Sequence, residues 1–369
     1  MDTSDPDISF DENGVCNHCE KAIRRMRNSI FGLPSDAKAQ KRAELVKQIK
    51  RAGAGKPYDC LIGLSGGVDS SYLALSVKEL GLRPLAIHLD NGWDSETSIQ
   101  NIEKICTSLS IDLETRVLDW EEFKALQLAF LRASTPDSEI PSDHAIVAAM
   151  YDTAYAKGIA YILVGYNLSS ESILPKAWSQ GHFDWRYIQN VYHQYGPGGR
   201  LRRFPNLGKV KRLYYEALRG IRFVSFLEYF DYNKEKAKTI VAERLGWKDY
   251  GRKHGESNYT RIYQEYILPR KFGFDKRRAH YSSLIAAGQL TRDAALSLLA
   301  EPLYARPQES EQDIAYLMNK LDITRKDFDA IMASPPRSIR DFKNYDDWAA
   351  LQIVLKAYRK LRTVGRGGK

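Results

Sequence analysis

The chain has 369 residues, of which 43% are hydrophobic and 27% are charged, and its formal net charge at pH 7 is +9. This composition excludes a disordered chain and predicts a sizeable core, with two domains. No apolar stretch is long enough to span a membrane, and the acidic start lacks a signal-peptide core, so we expect a cytoplasmic protein without membrane insertion. The positive charge suits nucleic acid, and equally a phosphate site or an acidic partner at a membrane surface.

The first chemical signal along the chain is a pair of cysteines, Cys16 and Cys19, separated by two residues. This spacing suits one half of a structural zinc site, which needs four ligands. His18 lies between them, but three neighbouring ligands in one short loop strain a tetrahedral geometry. A pair of reduced surface cysteines explains the spacing equally well, so the sequence predicts at most an incomplete zinc site.

Residues 58–81 predict a strand, a tight turn and a helix. The apolar run 58–64 is typical of a buried parallel strand. Gly66 and Gly67 follow, and glycines let backbone N–H groups approach an anion closely. The helix that opens at Asp69 and stops at Gly81 points its N-terminus at the same anion.

The run Ser65-Gly66-Gly67-Val68-Asp69-Ser70-Ser71 resembles the SGGxDS loop of the PP-loop ATP pyrophosphatases. The resemblance implies that ATP is bound by its β,γ-pyrophosphate and that AMP is transferred to a substrate oxygen. It assigns the pyrophosphate contacts to Ser65, Gly66, Gly67, Ser70 and Ser71. Asp69 would orient the loop or a magnesium ion. The loop has no lysine and so is not a GxxxxGK[ST] loop, and an ordinary strand-to-helix turn is the alternative interpretation.

Strands and helices alternate after the loop. The further strands are predicted at 84–89, 113–118 and 161–164, and the intervening helices at 95–109, 120–131 and 142–155. Asp119 caps the second of these helices, with Glu122 as its capping-box partner. The alternation predicts an α/β fold with a parallel sheet and helices on both faces, similar to adenine nucleotide alpha-hydrolase-like proteins. Ligands of such sheets lie at the carboxyl ends of the strands.

Beyond about residue 230 the pattern becomes helical. Helices are predicted at 239–245, 259–268, 291–299, 311–321 and 345–361. We therefore divide the chain into an N-terminal cysteine-containing segment and helix (1–50), an ATP-binding α/β domain (51–230) and a smaller helical C-terminal domain (231–369). The last is expected to close the substrate cleft.

Several blocks outside the loop carry a more specific resemblance, and they are spread through most of the chain. They are 10–19, 140–146, Gly165-Tyr166-Asn167 with Glu171, 251–257 and 266–291. Together they resemble the N-acetyl sugar amidotransferases of bacterial surface-polysaccharide and O-antigen biosynthesis. Members typically carry a further CxxC just before the segment at which this chain begins. We hypothesise that the start was assigned too late or that the chain was truncated.

The resemblance implies that an acetamido group on a nucleotide-linked sugar becomes an acetamidino group for LPS O-antigen or a related surface glycan. ATP, with Mg²⁺, adenylates the acetamido oxygen, and ammonia then displaces AMP. Neither Cys60 nor Cys106 has the setting of a glutaminase nucleophile. We therefore expect the chain to depend on a partner for ammonia. The resemblance implies that this partner is a separate glutaminase subunit that derives ammonia from glutamine, with a cyclase-like subunit that channels it. Zn²⁺ is expected only if the cysteine site is completed.

The remaining assigned residues lie in the charged blocks. His144 is a candidate acid or base, with a packed polar residue as the equal alternative. Catalytic roles are also assigned to Asp69, Lys253, His254 and Glu256. Nucleotide or magnesium contacts are assigned to Asp90, Asn91, Gly165, Asn167 and Glu171, and sugar-diphosphate contacts to Lys276, Arg277 and His280. A solvated helix face is the alternative for the last group.

Two other functions fit parts of the pattern. A tRNA-modifying PP-loop enzyme of the thiolation type also combines the loop, CxxC motifs and a basic surface. It usually needs a catalytic cysteine near the nucleotide and an RNA-binding domain, and neither is evident, so we do not expect a nucleic-acid partner. A non-catalytic ATP-binding module is the second alternative, against which the intact Asp69-Ser70 pair argues.

Overall fold

A five-stranded sheet organises the chain up to residue 225 in a computed structural model, which describes residues 1–251 and 255–348. The strands are β1 Cys60–Gly63, β2 Pro84–Asp90, β3 Asp112–Val117, β4 Tyr161–Val164 and β5 Arg222–Ser225. Their order is β3-β2-β1-β4-β5, and every neighbouring pair is parallel. This confirms the predicted α/β class with a parallel sheet.

Helices connect the strands and precede the first one. They are α1 Asn17–Arg27, α2 Ser35–Ala52, α3 Val68–Glu79, α4 Glu96–Leu109, α5 Trp120–Ala133, α6 Ile140–Ala156, α7 Leu168–Glu171, α8 Trp185–Tyr195 and α9 Lys209–Leu213. A π-helical turn, Tyr214–Leu218, continues α9. No helix of residues 1–251 and 255–348 combines the length and the apolar character needed to cross a bilayer.

The two faces of the sheet belong to two separate hydrophobic clusters. In β1, Leu61 packs into a cluster with α5, α6 and α8, whereas Cys60 and Ile62 pack into a cluster with α2, α3 and α4. Successive side chains of a strand point to opposite faces, so this division places helices on both sides of the sheet. All three residues are completely buried, as expected for the central strand of a parallel sheet.

The strand order reverses between β1 and β4, and this position locates the site. β1 connects to β2 on one side, whereas β4 lies on the other side, so the loops after β1 and β4 diverge at the carboxyl edge. A crevice opens where such loops diverge, and ligands bind there in open α/β sheets. The loop after β1 contains Ser65-Gly66-Gly67 and leads into α3; it is called the SGG loop below. The loop after β4 begins at Gly165.

The predicted helical C-terminal region is confirmed. Its elements are α10 Lys234–Leu245, α11 Asn258–Ile262 with a π-helical continuation Tyr263–Phe272, α12 Lys276–Ala286, α13 Arg292–Ala300, α14 Pro307–Leu321 and α15 Arg325–Ala333. Val241 joins the cluster on one face of the sheet, and Ile262 and Leu317 join the cluster on the other. The helices therefore share the cores of the sheet, and the domain boundaries stay a prediction.

Several local predictions were wrong or lie outside the described residues. The sequence did not indicate β5, because its four residues begin with Arg222 and end with Ser225 at the sheet edge. Asp119 caps α5, but the Glu122 carboxylate does not complete the capping box: it accepts the backbone N–H groups of residues 202–204 instead. The predicted helix 345–361 is described only to residue 348, where Tyr345–Asp347 form a 3-10 turn.

Candidate active site

The SGG loop is held by its carbonyl groups. The Gly66 carbonyl accepts hydrogen bonds from Trp247 Nε1 at 2.8 Å and Asn101 Nδ2 at 3.4 Å, and the Ser65 carbonyl accepts one from Ser98 Oγ at 3.2 Å. Gly66 has φ +77°, and a Cβ there would lie 2.6 Å from the Ser98 carbonyl oxygen. Only glycine fits this position. The Ser65 and Gly67 N–H groups donate within the loop, to Ser70 Oγ at 3.3 Å and to Ser65 Oγ at 3.4 Å, so the anion site depends chiefly on the first turn of the helix that follows.

The N-terminus of α3 adds to this anion site. Its N-cap is Gly67, which supplies no side-chain cap, so the first-turn N–H groups lack the partner that a serine or aspartate cap gives. The Ser70 and Ser71 hydroxyls donate to the Gly67 carbonyl at 3.0 and 2.8 Å, and Ser65 Oγ lies 3.2 Å from Ser70 Oγ. Ser71 is completely buried, so its hydroxyl holds the loop and does not face the cleft.

Asp69 is contacted by three side chains from outside the loop. Its Oδ1 accepts hydrogen bonds from the Tyr232 hydroxyl and from Asn167 Nδ2, and its Oδ2 lies 3.5 Å from Lys234 Nζ. Burial, and then the Asp69 charge, raise the pKa of Tyr232, so the phenol stays protonated and donates. Tyr232 and Lys234 were missed by the sequence analysis, since a short polar run before a helix gives no signal of contact with a distant loop.

The loop after β4 is fitted closely against the SGG loop. A Cβ on Gly165 would lie 2.9 Å from the Asp69 carbonyl carbon, so glycine is required there. Asn167 caps α7 by accepting Ser170 N–H at 3.2 Å, and its Nδ2 donates to the Gly165 carbonyl at 3.2 Å. Gly165 and Asn167 thus position Asp69, and Asn167 itself is buried.

A cleft of about 830 Å³ separates these loops from the C-terminal helices. Its lining includes the predicted residues Gly67, Asp69, Glu171, Glu256, Lys276, Arg277 and His280, together with Ser170 and Lys234. Residues separated by more than 200 positions are therefore brought to one cavity. A cleft at a topological switch point with convergent charged groups is the expected form of an active site in an open α/β sheet.

A short pairing between chain segments brings Glu256 to the cleft. The Glu256 carbonyl accepts Ser95 N–H at 2.9 Å, Asn258 N–H donates to the Trp93 carbonyl at 2.9 Å, and residues 94 and 257 form an antiparallel bridge. The start of the C-terminal region is thereby tied to the segment after β2. The predicted catalytic residues Lys253 and His254 lie outside the described residues.

Helix α12 supplies the opposite wall of the cleft. His280 Nδ1 lies 3.0 Å from the Ser170 carbonyl oxygen, and Lys276 Nζ donates to Glu139 Oε2 at 2.8 Å. Burial lowers the pKa of Lys276, but Glu139 and Asp137 outweigh it and raise that pKa, so the ammonium stays charged. Lys276 and His280 share one face of α12, as predicted from their spacing.

Arg277 has a different setting from the one expected of a substrate ligand. Its guanidinium donates to the Asp275 carboxylate and, through Nη1, to the Glu301 carbonyl at 2.8 Å beyond the end of α13. The same group lies 3.5 Å from the carbonyls of residues 298 and 299. Arg277 therefore satisfies the C-terminus of α13, the usual role of a cation at that end of a helix.

Asp90 and Asn91 shape the turn after β2 and do not line the cleft. Asp90 Oδ1 accepts Gly92 N–H at 2.8 Å, and Asn91 Oδ1 accepts Trp93 N–H at 3.1 Å. Asn91 Nδ2 also donates to Ser142 Oγ at 3.1 Å. These are local turn contacts of the kind that aspartate and asparagine commonly form, so the predicted adenosine contact stays a prediction.

The C-terminal region has a recognisable relative. Residues 256–355 match the family described as LPS biosynthesis protein WbpG-like, C-terminal domain. This part of the chain is similar to that family, and the match covers less than half of the chain. The match confirms the resemblance to surface-polysaccharide biosynthesis proteins, and the WbpG-like region includes the cleft residues Glu256, Lys276 and His280.

Two solved structures are similar over about half of the chain. A predicted subunit of tRNA methyltransferase from Methanocaldococcus jannaschii is 18% identical, covers 50% of this chain and 74% of its own, and has a TM-score of 0.29. The NH3-dependent NAD synthetase from Campylobacter jejuni is 14% identical, covers 57% and 84%, and also has a TM-score of 0.29. No curated protein matches the chain.

His144 is a packed residue of α6 and is not part of the cleft lining. Its Nδ1 lies 2.6 Å from the His182 carbonyl oxygen, its Nε2 accepts Leu207 N–H at 2.9 Å, and its ring stacks on Trp185. Burial lowers the pKa of His144 to about 4, so the ring is neutral at pH 7. Both nitrogens have backbone partners, and the structure favours the packed-residue alternative over the predicted catalytic role.

His182 is the charged histidine of this neighbourhood, and no sequence pattern pointed to it. Its Nε2 lies 3.2 Å from Asp143 and 3.4 Å from buried Asp137. Burial lowers the pKa of His182, but the two carboxylates outweigh it and raise that pKa to about 10. Burial raises the pKa of Asp137, but Lys276 of the WbpG-like region and His182 outweigh it and lower that pKa. His182 and Lys276 therefore belong to one buried charge cluster.

The two N-terminal cysteines form a close pair. Cys16 is the N-cap of α1 and its Sγ accepts Cys19 N–H at 3.4 Å. The Cys19 thiol, which donates to Cys16, lowers the pKa of Cys16 to about 5 even though burial opposes the shift. Among residues 1–251 and 255–348 no three His, Cys, Asp or Glu side chains form a metal-binding group, so the zinc site stays an incomplete prediction.

Proposed function

We propose that the chain is an ATP-dependent amidotransferase that adenylates the acetamido oxygen of a nucleotide-linked N-acetyl sugar and replaces that oxygen with ammonia-derived nitrogen. The product would be an acetamidino sugar for LPS O-antigen or a related surface glycan. One observation carries the proposal: a cleft with an anion-binding loop on its sheet wall and a WbpG-like domain on its other wall. ATP is assigned to the first wall and the sugar nucleotide to the second.

In the first step the acetamido oxygen attacks the α-phosphorus of ATP, and the bond from that phosphorus to the bridging oxygen breaks. Pyrophosphate leaves and the acetamido group becomes a cationic O-adenylated imidate. The Gly67 to Ser70 segment would hold the departing pyrophosphate through its first-turn N–H groups. Fixed N–H dipoles of this kind lower the barrier because they need no reorganisation as negative charge develops.

Magnesium would be held by Asp69, Glu171 and Glu256, three carboxylates that line the cleft. Carboxylate oxygens are the ligands that Mg²⁺ prefers, so the residues fit the ion. When bound, Mg²⁺ would neutralise phosphate charge. Within residues 1–251 and 255–348 these side chains do not already form a metal-binding group of three.

In the second step the nitrogen of ammonia bonds to the imidate carbon, the carbon–oxygen bond to AMP breaks, and one proton of that nitrogen passes to the phosphate of the departing AMP. The product leaves as an amidinium, which retains the positive charge of the imidate, so neutral ammonia requires no base from the protein. Ammonium in solution would first have to lose a proton. This difference supports a separate glutaminase subunit and a cyclase-like subunit that deliver ammonia without passage through water.

A thiolation-type reaction receives no support from the cleft. None of the four cysteines lines it. Cys60 is buried in β1, and burial raises the pKa of Cys106 on α4 to about 11. A catalytic sulfur needs thiolate character and access to the nucleotide. Cys60 and Cys106 lack the first, and Cys16, whose pKa is lowered, is not part of the cleft lining.

The test is to incubate the purified chain with ATP, Mg²⁺, ammonium and a panel of nucleotide-linked N-acetyl sugars. We expect pyrophosphate release that depends on one sugar nucleotide, and a mass decrease of about one dalton in that sugar as oxygen is replaced by NH. Pyrophosphate release without the mass change would contradict the amidotransferase step. No release with any acceptor, at saturating ammonium, would contradict the proposal as a whole.

A further inference from the structure

We propose that Lys234 has two partners in turn: it holds the Asp69 carboxylate while the cleft lacks ATP, and it contacts the pyrophosphate half of ATP once the nucleotide binds. This inference rests on the proposed use of ATP. It assigns a catalytic residue for pyrophosphate departure that lies outside the SGG loop.

The position of Lys234 is the first argument. It is the first residue of α10, its side chain is 21% exposed, and it lines the cleft beside Gly67 and Asp69. Its ammonium lies 3.5 Å from Asp69 Oδ2. An anion held at the N-terminus of α3 would therefore lie next to this ammonium, because Asp69 belongs to the first turn of that helix.

The other cations of the cleft provide the second argument, because they are committed elsewhere. Among the described lining residues, Lys276 donates to Glu139 at 2.8 Å, Arg261 to Asp313 at 2.7 Å, and Arg277 to Asp275 at 2.8 Å. Lys238 pairs with Asp249 at 3.2 Å. These contacts are shorter than the Lys234 contact, and in each case the acid partner lies outside the SGG loop.

Electrostatics supply the third argument. The carboxylates of Asp69, Glu171 and Glu256 line the same cleft as Lys234, and their negative charges attract its ammonium. Asp69 also accepts from Tyr232 and Asn167. Its Oδ1 would therefore keep its partners when Lys234 turns toward a phosphate, and Oδ2 would become available to a divalent cation.

The exchange has a chemical consequence. When the bond from the α-phosphorus to the bridging oxygen breaks, that oxygen keeps the electron pair and the pyrophosphate gains negative charge. A hydrogen bond from the Lys234 ammonium to the pyrophosphate is therefore stronger in the transition state than in the ground state. An interaction that strengthens in this way lowers the activation barrier. Lys234 donates and does not transfer a proton in this step.

The experiment compares four forms of the full chain: wild type, Lys234→Gln, Lys234→Arg and the control Lys236→Gln. Lys236 lies on the same helix but is exposed and is not part of the cleft lining. Binding of inorganic pyrophosphate is measured by calorimetry in buffer without divalent cations. We expect Lys234→Gln to bind about ten-fold more weakly or worse, Lys234→Arg to stay within about three-fold of wild type, and Lys236→Gln to be unchanged.

A second measurement tests the contact of Lys234 with Asp69 separately from its contact with pyrophosphate. Binding of Mn²⁺ without nucleotide is followed by electron paramagnetic resonance. Removal of the competing ammonium should tighten Mn²⁺ binding by about three-fold or more in Lys234→Gln. A residue that only supports the fold would weaken both ligands, so tighter Mn²⁺ with weaker pyrophosphate is the distinguishing result.

The outcomes distinguish this inference from the proposed function. If the wild type binds no pyrophosphate, the ATP-binding role of the SGG loop is contradicted. If the wild type binds pyrophosphate and Lys234→Gln binds it equally well, the function stands and the role of Lys234 is overturned. Equal losses in the Gln and Arg variants would also overturn it, because the loss would not follow the charge.

Discussion

The two walls of the cleft present different chemical groups, backbone N–H groups on one and charged side chains on the other. The sheet wall presents backbone N–H groups at the start of α3. The carbonyl groups of the preceding SGG loop are fixed by hydrogen bonds from Ser98, Asn101 and Trp247. The helical wall presents side chains that are already ion-paired, such as Lys276 with Glu139. Backbone N–H dipoles suit the phosphates of ATP, which are the same whatever the acceptor. The side chains of the helices can differ between proteins that use different acceptors. Activity is therefore expected to be most sensitive to steric change in the first wall and to loss of charge in the second.

The largest effect is expected from Gly66→Ala. A Cβ at residue 66 would lie 2.6 Å from the Ser98 carbonyl oxygen and would sit at φ +77°, so the loop must move and lose its aligned donors. We expect pyrophosphate release to fall about 10³-fold, or about 4 kcal/mol in the barrier. Gly158→Ala is the matched control, since φ is +65° but no atom lies within 4 Å of its Cβ. Similar losses in both variants would contradict the steric argument.

The next effect is expected from Asp69→Asn on the same wall. The amide keeps the size of the side chain but loses the charge that faces Lys234 and would face Mg²⁺. We expect pyrophosphate release to fall about 10²-fold, or about 3 kcal/mol, with the melting temperature changed by only a few degrees. Asp249→Asn, which removes the partner of Lys238 at the cleft edge, should retain most of the activity. A near-normal rate for Asp69→Asn would exclude a direct role for this carboxylate.

The SGG loop could be predicted from sequence because its geometry is local. Gly66, Gly67 and the first turn of α3 are adjacent along the chain, so the residues themselves dictate positive φ and an open helix start. Lys234 and His182 could not be found in this way. Each becomes relevant only through contact with Asp69 or Asp137, and no spacing rule links positions that far apart.

Arg277 and His144 show the converse limit. Both are charged or titratable residues in blocks that resemble a family, and the sequence offered no way to see their partners. The carbonyls at the end of α13 occupy Arg277, and the His182 and Leu207 backbone groups occupy His144. Polar residues that satisfy buried backbone groups look the same in a sequence as residues that bind a substrate.

The helical wall is tested by Lys276→Gln. Loss of the ammonium leaves Glu139, which is buried, with Gln264 Nε2 at 2.8 Å as its remaining donor. We expect the free energy of unfolding to fall by about 2 kcal/mol, and KM for the sugar nucleotide to rise while KM for ATP changes little. The double variant with Glu139→Gln should recover much of the stability but not the KM. Recovery of both would mean that Lys276 only neutralises Glu139.

The smallest effect concerns the charge cluster behind Lys276. The folded-state pKa of His182 is raised to about 10, above the value of about 6.5 expected in the unfolded chain. The stabilisation from charged His182 is therefore complete below about pH 6.5 and is lost as the pH rises toward 10. Denaturant unfolding at pH 6 and pH 9.5 should show lower stability at the higher pH, and His182→Asn should remove most of that difference. His193→Asn, at an exposed position on α8, should leave it unchanged. If His182→Asn retains the full pH dependence, the pairs with Asp137 and Asp143 do not stabilise the fold, and the charge that fixes this part of the helical wall is that of Lys276 alone.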